Sequence, residues 1–453
     1  MTRPESALRL FLIIPMLLVF HTAAPAAEKT GVMTLQDSID MALRRNVTVH
    51  SAREGVRASE ARKNEAFTGF LPRFSTAYSY SRLNESPQVK LSLTGYQPIE
   101  TGTEDNYNWF VELRQPVFTG GRILSTYQAS RIGLDISRVE ELSTIQNIVL
   151  ETRAAYFNIL KAEKLLEVAK QSVEQRTAQR DLAQNFFDVG LIPKNDLLTA
   201  EVELANGTQL LVRAENGLEI SRAKFNTVLR RGINEPVSVE DILRYEPYEK
   251  TLEECFRMAA EQRPEIKSSA LKVEQAQKQV DVAASEFYPS VNLSGRYGRF
   301  GEYADLRGSL YQDPESWSVL AVASWDFWEW GRTKYNRDFY QSRQLQAQDA
   351  LIGVRDQVAL DVKSAYLSIK EAEKRIRVSG KSIEQADENL RIYQERYRVQ
   401  VATSKDVLDA QTLLVRARAD YYDALGDYQI ALARLERSMG VIYVQGESTN
   451  PSK

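Results

Sequence analysis

The chain is nearly without cysteine and histidine: Cys255 stands alone, and the 453 residues contain only 2 histidines. A single thiol cannot close an intramolecular disulfide, which excludes a disulfide-stapled scaffold. Cys255, His21 and His50 are too far apart in sequence for a zinc-ligand pattern; a packed Cys255 and a surface His50 are expected, with no metal. Neither sign of charge dominates, since 58 basic and 61 acidic side chains leave a net charge of -3. That balance excludes the single-sign field of a dedicated nucleic-acid binder. There is no phosphate-cradling glycine loop and no nucleophile elbow, so neither catalysis nor a cofactor is expected. Long apolar runs are also missing, apart from "LFLIIPMLLVF", Leu10 to Phe20. That run is about half the roughly 20 residues a membrane-spanning helix needs. Arg3 and Arg9 precede it and Ala24-Pro25-Ala26 follows, which predicts a secretory signal peptide over residues 1–26. No cysteine lies at that cleavage region to carry a lipid, and any later membrane-embedded part has to be β-structure.

What is present is a tandem duplication. "TLQDSIDMALRRNVTVHSA" from Thr34 resembles "TLEECFRMAAEQRPEIKSS" from Thr251, and "FLPRFSTAYSY" resembles "FYPSVNLSGRY", with Pro72 matching Pro289. Further along, "QPVFTGGR" (Gln115 to Arg122) has a weaker copy in "WDFWEWGR" (Trp325 to Arg332). "RAAYFNIL" from Arg153 matches "KSAYLSIK" from Lys363, and "DLLTAEVEL" from Asp196 matches "DVLDAQTLL" from Asp406. Each half reads as helix, strand, loop, strand, long helix, turn, helix. The first repeat is placed at 27–234, with helices near 34–70, 121–189 and 194–230 and strands near 73–83 and 106–117. A connecting segment follows at 235–250. The second repeat covers 251–440, with helices near 251–287, 331–398 and 404–438 and strands near 290–298 and 316–327, and a tail occupies 441–453.

The long helices carry heptads. Ile145, Ile148, Thr152, Ala155, Ile159, Ala162, Leu166, Ala169 and Val173 alternate steps of three and four, as do Val358, Val362, Ala365, Ile369, Ala372, Ile376, Ser379 and Ile383. This is a coiled-coil seam. Its small residues imply close helix approach in a broad wall of helices. A helix from Gly121 to Val189 would be on the order of 100 Å long, which makes the molecule a rod or a tube.

The strands alternate. Tyr107, Trp109, Val111 and Leu113 oppose Asn108, Glu112 and Arg114; Trp317, Val319, Ala321, Ala323 and Trp325 oppose Ser318, Ser324 and Asp326; Phe74, Tyr78 and Tyr80 oppose Ser75, Ser79 and Ser81. An apolar face with aromatic ends and a small, polar opposite face fits a lipid-facing band around a wet interior. A soluble sheet with one solvated face has the same alternation. Four strands cannot close a membrane barrel alone, so the barrel reading requires several chains.

Polar residues concentrate at two helix-to-helix turns. In "FFDVGLIPKNDLL", Gly190 stops one helix and Pro193 opens the next; in "RYRVQVATSKDVLDA", Gln400 stands where Gly190 does, and Thr403 or Ser404 is the N-cap. Asp196 and Asp406 fall in first helical turns, where the dipole favours a carboxylate. Asp409, one turn beyond Asp406, is not explained by the dipole. Around an axis of several chains these acids would form a ring of the kind that selects cations. At "QPVFTGGR", Pro116 is expected to end the strand ladder, Gly120 and Gly121 to permit a bend, and Arg122 to lie near a polar boundary. Gly331 and Arg332 form the second such corner.

With the duplication, the "LP" and "YP" strand starts, "QPVFTGGR" and the two "D-[LV]-L-x-A" turns in this order, the mature chain resembles the TolC-like outer-membrane efflux proteins of Gram-negative bacteria. The resemblance implies an α+β membrane protein and a homotrimer. Duplicated helical hairpins would form a long periplasmic α-barrel, and four strands per protomer would enter one shared twelve-stranded β-barrel in outer-membrane lipid. It implies a passive exit duct for efflux or type I secretion, docked to a periplasmic adaptor and to an inner-membrane pump or ABC transporter, with no nucleic acid involved. It places the constriction at Asp406 and Asp409 and a closed-state latch between Tyr397 and Asp196. The arginine that completes the family's latch falls on Ala402. A soluble periplasmic coiled-coil adaptor or scaffold is the rival reading, since it would keep the heptads without needing amphipathic strands.

Overall fold

The computed structural model describes residues 32–89 and 98–441. The segment read as a signal peptide, and residues 442–453 of the tail, lie outside them. The first repeat opens with α1 (Leu35–Arg45), α2 (Val47–Thr68) and β1 (Arg73–Arg82). A short hairpin, β2 (Gln88–Val89) and β3 (Ile99–Glu100), leads to β4 (Asp105–Phe118), α3 (Arg122–Asp188) and α4 (Lys194–Leu229). The second repeat has α5 (Leu252–Gln262), α6 (Pro264–Ala284), β5 (Ser290–Gly301), β6 (Glu315–Ser324), α7 (Arg332–Arg398) and α8 (Ser404–Ser438).

The helices expected over 34–70 and 251–287 are each broken once. Asn46 is extended and its side chain accepts from the Thr48 amide, so it ends α1 and caps α2. In the second repeat Pro264 holds Arg263 out of the helical region and opens α6 at its first position. Capping boxes start α1 (Thr34 with Asp37) and α5 (Thr251 with Glu254).

α3 and α7 are each 67 residues long, about 100 Å at 1.5 Å per residue. On α7 the predicted seam is buried from Val358 to Ser379. α3 buries more than its seam, including Tyr156, Phe157 and Leu160, because it touches α2, α4, α6 and α8, whereas α7 packs on α5, α6 and α8. The two repeats are therefore interleaved. A buried ion pair, Arg153 with Glu436, joins them; beside it Arg437 pairs within the second repeat with Glu265, which also meets Arg263, and donates across to Asn147 on α3. The connecting segment runs beneath this junction, where its Glu240 carbonyl accepts from the Tyr156 hydroxyl and its Glu246 carbonyl accepts from that of Tyr428.

The four long strands make one antiparallel sheet in the order β1-β4-β5-β6. Its register puts Tyr78 opposite Trp109, Val111 opposite Tyr297, and Tyr297 opposite Trp317. One face is thus largely apolar and rich in aromatics, interrupted by Thr76 and by the Arg299–Glu315 pair, and Phe74, Tyr78, Trp317 and Val319 on it are exposed. Pro116 does not end the ladder as expected. A shift of register between Pro116 and Phe118 lets β4 continue past the missing N–H. No helix among the described residues is long and apolar enough to cross a membrane.

Candidate functional site

Two regions at opposite ends of the long helices carry the sequence-predicted residues. At the far tip α7 ends in a left-handed residue, Gln400, at φ 59°, matching Gly190 at φ 74° after α3. The same bonds close both turns: Gly190 and Leu191 donate to the Phe187 and Phe186 carbonyls, and Gln400 and Val401 to those of Tyr397 and Arg396. Glutamine therefore takes the glycine conformation, at a cost of about 1 kcal/mol.

Thr403 caps α8. Its amide and hydroxyl both donate to the Asp406 carboxylate at 2.8 Å, and the Asp406 amide returns a bond to the hydroxyl at 3.3 Å. The bond from the Thr403 amide, followed by that from its hydroxyl, holds the Asp406 carboxyl below the usual aspartate range. Asp409 projects into solvent and accepts from Lys405 at 2.7 Å. Asp196, in the first turn of α4, accepts from the Asn195 side-chain amide at 3.2 Å.

Tyr397 is 3% exposed. Its ring lies 5.5 Å from that of Phe186 on the first hairpin, in a cluster with Leu390, Val407, Ala410 and Leu414. Its hydroxyl is buried with no hydrogen-bond partner. Burial raises the phenol's pKa; the nearby Ser404 hydroxyl opposes this and the charge of Asp196 adds to it. The structure thus brings Tyr397, Asp196, Asp406 and Asp409 to one end, and Leu197, Ala200 and Leu408 pack the two tips together.

Sequence reasoning missed a polar row between α3 and α8 just above these tips. Arg418 donates to Gln171, Gln411 to the Gln175 carbonyl, Arg176 to Thr412 at 3.1 Å and Gln179 to Ser404 at 3.3 Å. The eight-residue spacing of Gln171 and Gln179, whose side-chain amides both reach α8, was a usable signal for a polar contact along one helix face. Gly207 leaves room for this row, since an added Cβ would stand 2.8 Å from Arg176 Cδ.

At the other end both strand-to-helix corners turn through positive φ. Gly120 (62°) and Gly121 (91°) precede Arg122, and Trp330 (52°) and Gly331 (85°) precede Arg332. A side chain at Gly120 would collide with the Ser285 carbonyl, its Cβ falling at 2.4 Å. At the second corner the equivalent space is open, and Trp330 occupies it, exposed and 5.6 Å from the Trp328 ring. Arg332 pairs with Glu329 at 2.7 Å. Trp325, Phe327 and Trp328 are exposed beside it, where an aromatic girdle at a membrane interface would lie.

His50 is on the surface near Glu54, and Cys255 is buried. The described residues hold no cluster of metal-ligating side chains. Helical hairpins of this length, hung from an amphipathic sheet, define a channel component with a membrane-embedded β end and a helical tube.

The chain belongs to the outer membrane efflux protein family, whose pattern matches residues 38–229 and 256–441. It is 22% identical over 401 residues to the outer membrane protein TolC of Escherichia coli, covering 84% of this chain and 77% of that protein. It is 22% identical over 428 residues to protein CyaE of Bordetella pertussis, covering 93% of this chain and 86% of that one. The fold superposes on the Campylobacter jejuni CmeC outer membrane channel with a TM-score of 0.80 at 19% identity, over 91% of this chain and 87% of that structure. For the Vibrio cholerae outer membrane protein VceC the TM-score is 0.77 at 18% identity, over 90% and 96% of the two chains. The family consists of channel proteins rather than enzymes, and the chain is an outer-membrane protein with its helical part in the periplasm.

Proposed function

We propose that three copies of this chain close into one channel-tunnel that serves as the passive exit duct of a tripartite efflux or type I secretion machine. The observation that supports this most is a mismatch between repeat-equivalent positions. On α3, Phe157 and Val168 are 2% and 4% exposed; on α7, their counterparts Leu367 and Val378 are 54% and 66% exposed. α3 is flanked by helices of both repeats, so the uncovered face of α7 is the place where a neighbouring copy would supply the missing flank. The sheet has the same incompleteness. Its edges, β1 and β6, run in opposite directions and have no partner strand among the described residues, so β1 of one copy against β6 of the next continues the antiparallel order around a ring. Three chains supply twelve strands, an even number within the range of outer-membrane barrels.

In this assembly the tips converge on the axis, and Asp406 and Asp409 form the constriction. Tyr397 and Asp196 lie behind it as a closed-state latch. The duct receives cargo through a periplasmic adaptor docked to an inner-membrane pump or ABC transporter. The scaffold alternative has no use for an exposed aromatic sheet and is set aside. Leu367→Asp with Val378→Asp tests the assembly: the doubly substituted protein should run as monomers after mild detergent extraction, where the unsubstituted protein runs as trimers. Trimers that survive both substitutions would refute the α7 interface.

A further inference from the structure

We propose that the strand end of this duct carries a basic girdle that makes it selective for anionic amphiphiles, a property that rests on the trimeric reading above. The sheet register places the charges of its polar face in two adjacent rows. Arg73 lies opposite Arg114, and Glu112 lies opposite Arg296. The Arg114 guanidinium donates to Glu112 at 2.9 Å, which occupies the only acid on that face of the sheet among the described residues. The Arg296 guanidinium stacks on the Phe110 ring, 3.7 Å from its centroid. Among the described residues neither Arg73 nor Arg296 has an ion-pair partner. The strand that would lie against β1 across the closure, β6, presents Ser316, Ser318 and Leu320 on that face, its one acid, Glu315, lying on the other face against Arg299.

Each chain therefore leaves two guanidinium groups uncompensated on the face opposite the lipid band. Three chains would place six of them in a narrow band, two rows deep, of a water-filled barrel. A ring of arginines in a low-dielectric wall concentrates anions. Phe110 and Phe300 share that face, so a ligand with a negative group and an apolar ring finds both partners, which narrows the preferred traffic to organic anions. The tip does not bar such traffic outright, because Lys405 pairs with Asp409 there.

The test uses the full-length protein in planar lipid bilayers under a potassium chloride gradient, with 1-naphthalenesulfonate added from each side in turn. The zero-current potential gives the chloride-to-potassium permeability ratio. Arg73→Gln, Arg114→Gln and Arg296→Gln together should lower that ratio and raise the half-blocking naphthalenesulfonate concentration by on the order of ten-fold. Arg296→Gln alone breaks no ion pair and should move both readings the same way, so the result does not depend on the triple variant inserting. Variants that form pores of unchanged selectivity and unchanged block would overturn the girdle and leave the duct intact. Unsubstituted protein that forms no pore would overturn both.

Discussion

Gln400 and Trp330 are the two residues whose backbones do what their side chains disfavour. Both sit at positive φ in the second repeat, at positions the first repeat fills with Gly190 and Gly120. Gln400→Gly should raise stability by up to about 1 kcal/mol, the left-handed penalty less glycine's extra chain entropy, read as a higher denaturation midpoint in detergent. Tyr397 is a different case. Its ring fills the tip cluster while its hydroxyl has no partner, so Tyr397→Phe removes a buried unsatisfied group. Stability should hold or rise by about 1 kcal/mol. If the hydroxyl bonds Asp196 in the closed trimer, the same substitution should raise closed-state conductance. The positions of both residues were visible in the sequence, but their condition was not: Gln400 could be placed by alignment with Gly190, whereas neither the open space around Trp330 nor the isolation of the Tyr397 hydroxyl follows from residue order.

The heptads announced the long helices, because a seam of small and apolar residues repeating over many turns has no other economical structure. They announced α7 better than α3, since a seam pattern describes a helix buried on one side, and α3 is enclosed on several. The breaks at Asn46 and Arg263 were less legible. Pro264 is a stop signal in its own right, but Asn46 becomes a cap only because its side chain turns onto the Thr48 amide. The ion pairs of the helical junction lie beyond any local pattern, the partners in Arg153–Glu436 and Arg437–Glu265 being far apart in the chain. At Glu265 burial pushes the carboxyl up, but the bond and charge from Arg437 and the charge of Arg263 prevail and hold it at about 2. A carboxyl depressed on folding contributes stability above its unfolded value, near 4.5, and loses that contribution as pH falls towards its folded value. The helical junction should thus loosen between about pH 4.5 and 2. Glu265→Gln should cost about 3 kcal/mol at pH 7, because Arg437 loses a buried partner, and should flatten this part of the acid response. Equilibrium unfolding at several pH values measures both effects.

For the whole molecule, membership of the outer membrane efflux family and the position of the acids frame the pore prediction. Asp406→Ala with Asp409→Ala should weaken block of the reconstituted pore by multivalent cations, because a ring of carboxylates is the site such ions would occupy. Unchanged block would remove both residues from the constriction. Asp406 also completes the cap of α8, so Asp406→Ala alone should cost about 1 kcal/mol of local stability. Asp409→Ala loses only an exposed pair and should leave stability nearly unchanged. Comparing the two single variants separates the electrical role from the structural one.

The free strands β1 and β6 bear on how the ring comes into being. One chain has two open edges. Two chains joined side by side still have two, and only closure of the proposed ring removes them. A pair of chains has one open edge per chain where a single chain has two, but the third chain makes two contacts at once and removes every remaining edge, so the pair is a poorer resting place than the ring. Insertion should look concerted, with dimers scarce at every stage and the last contact contributing more than the first.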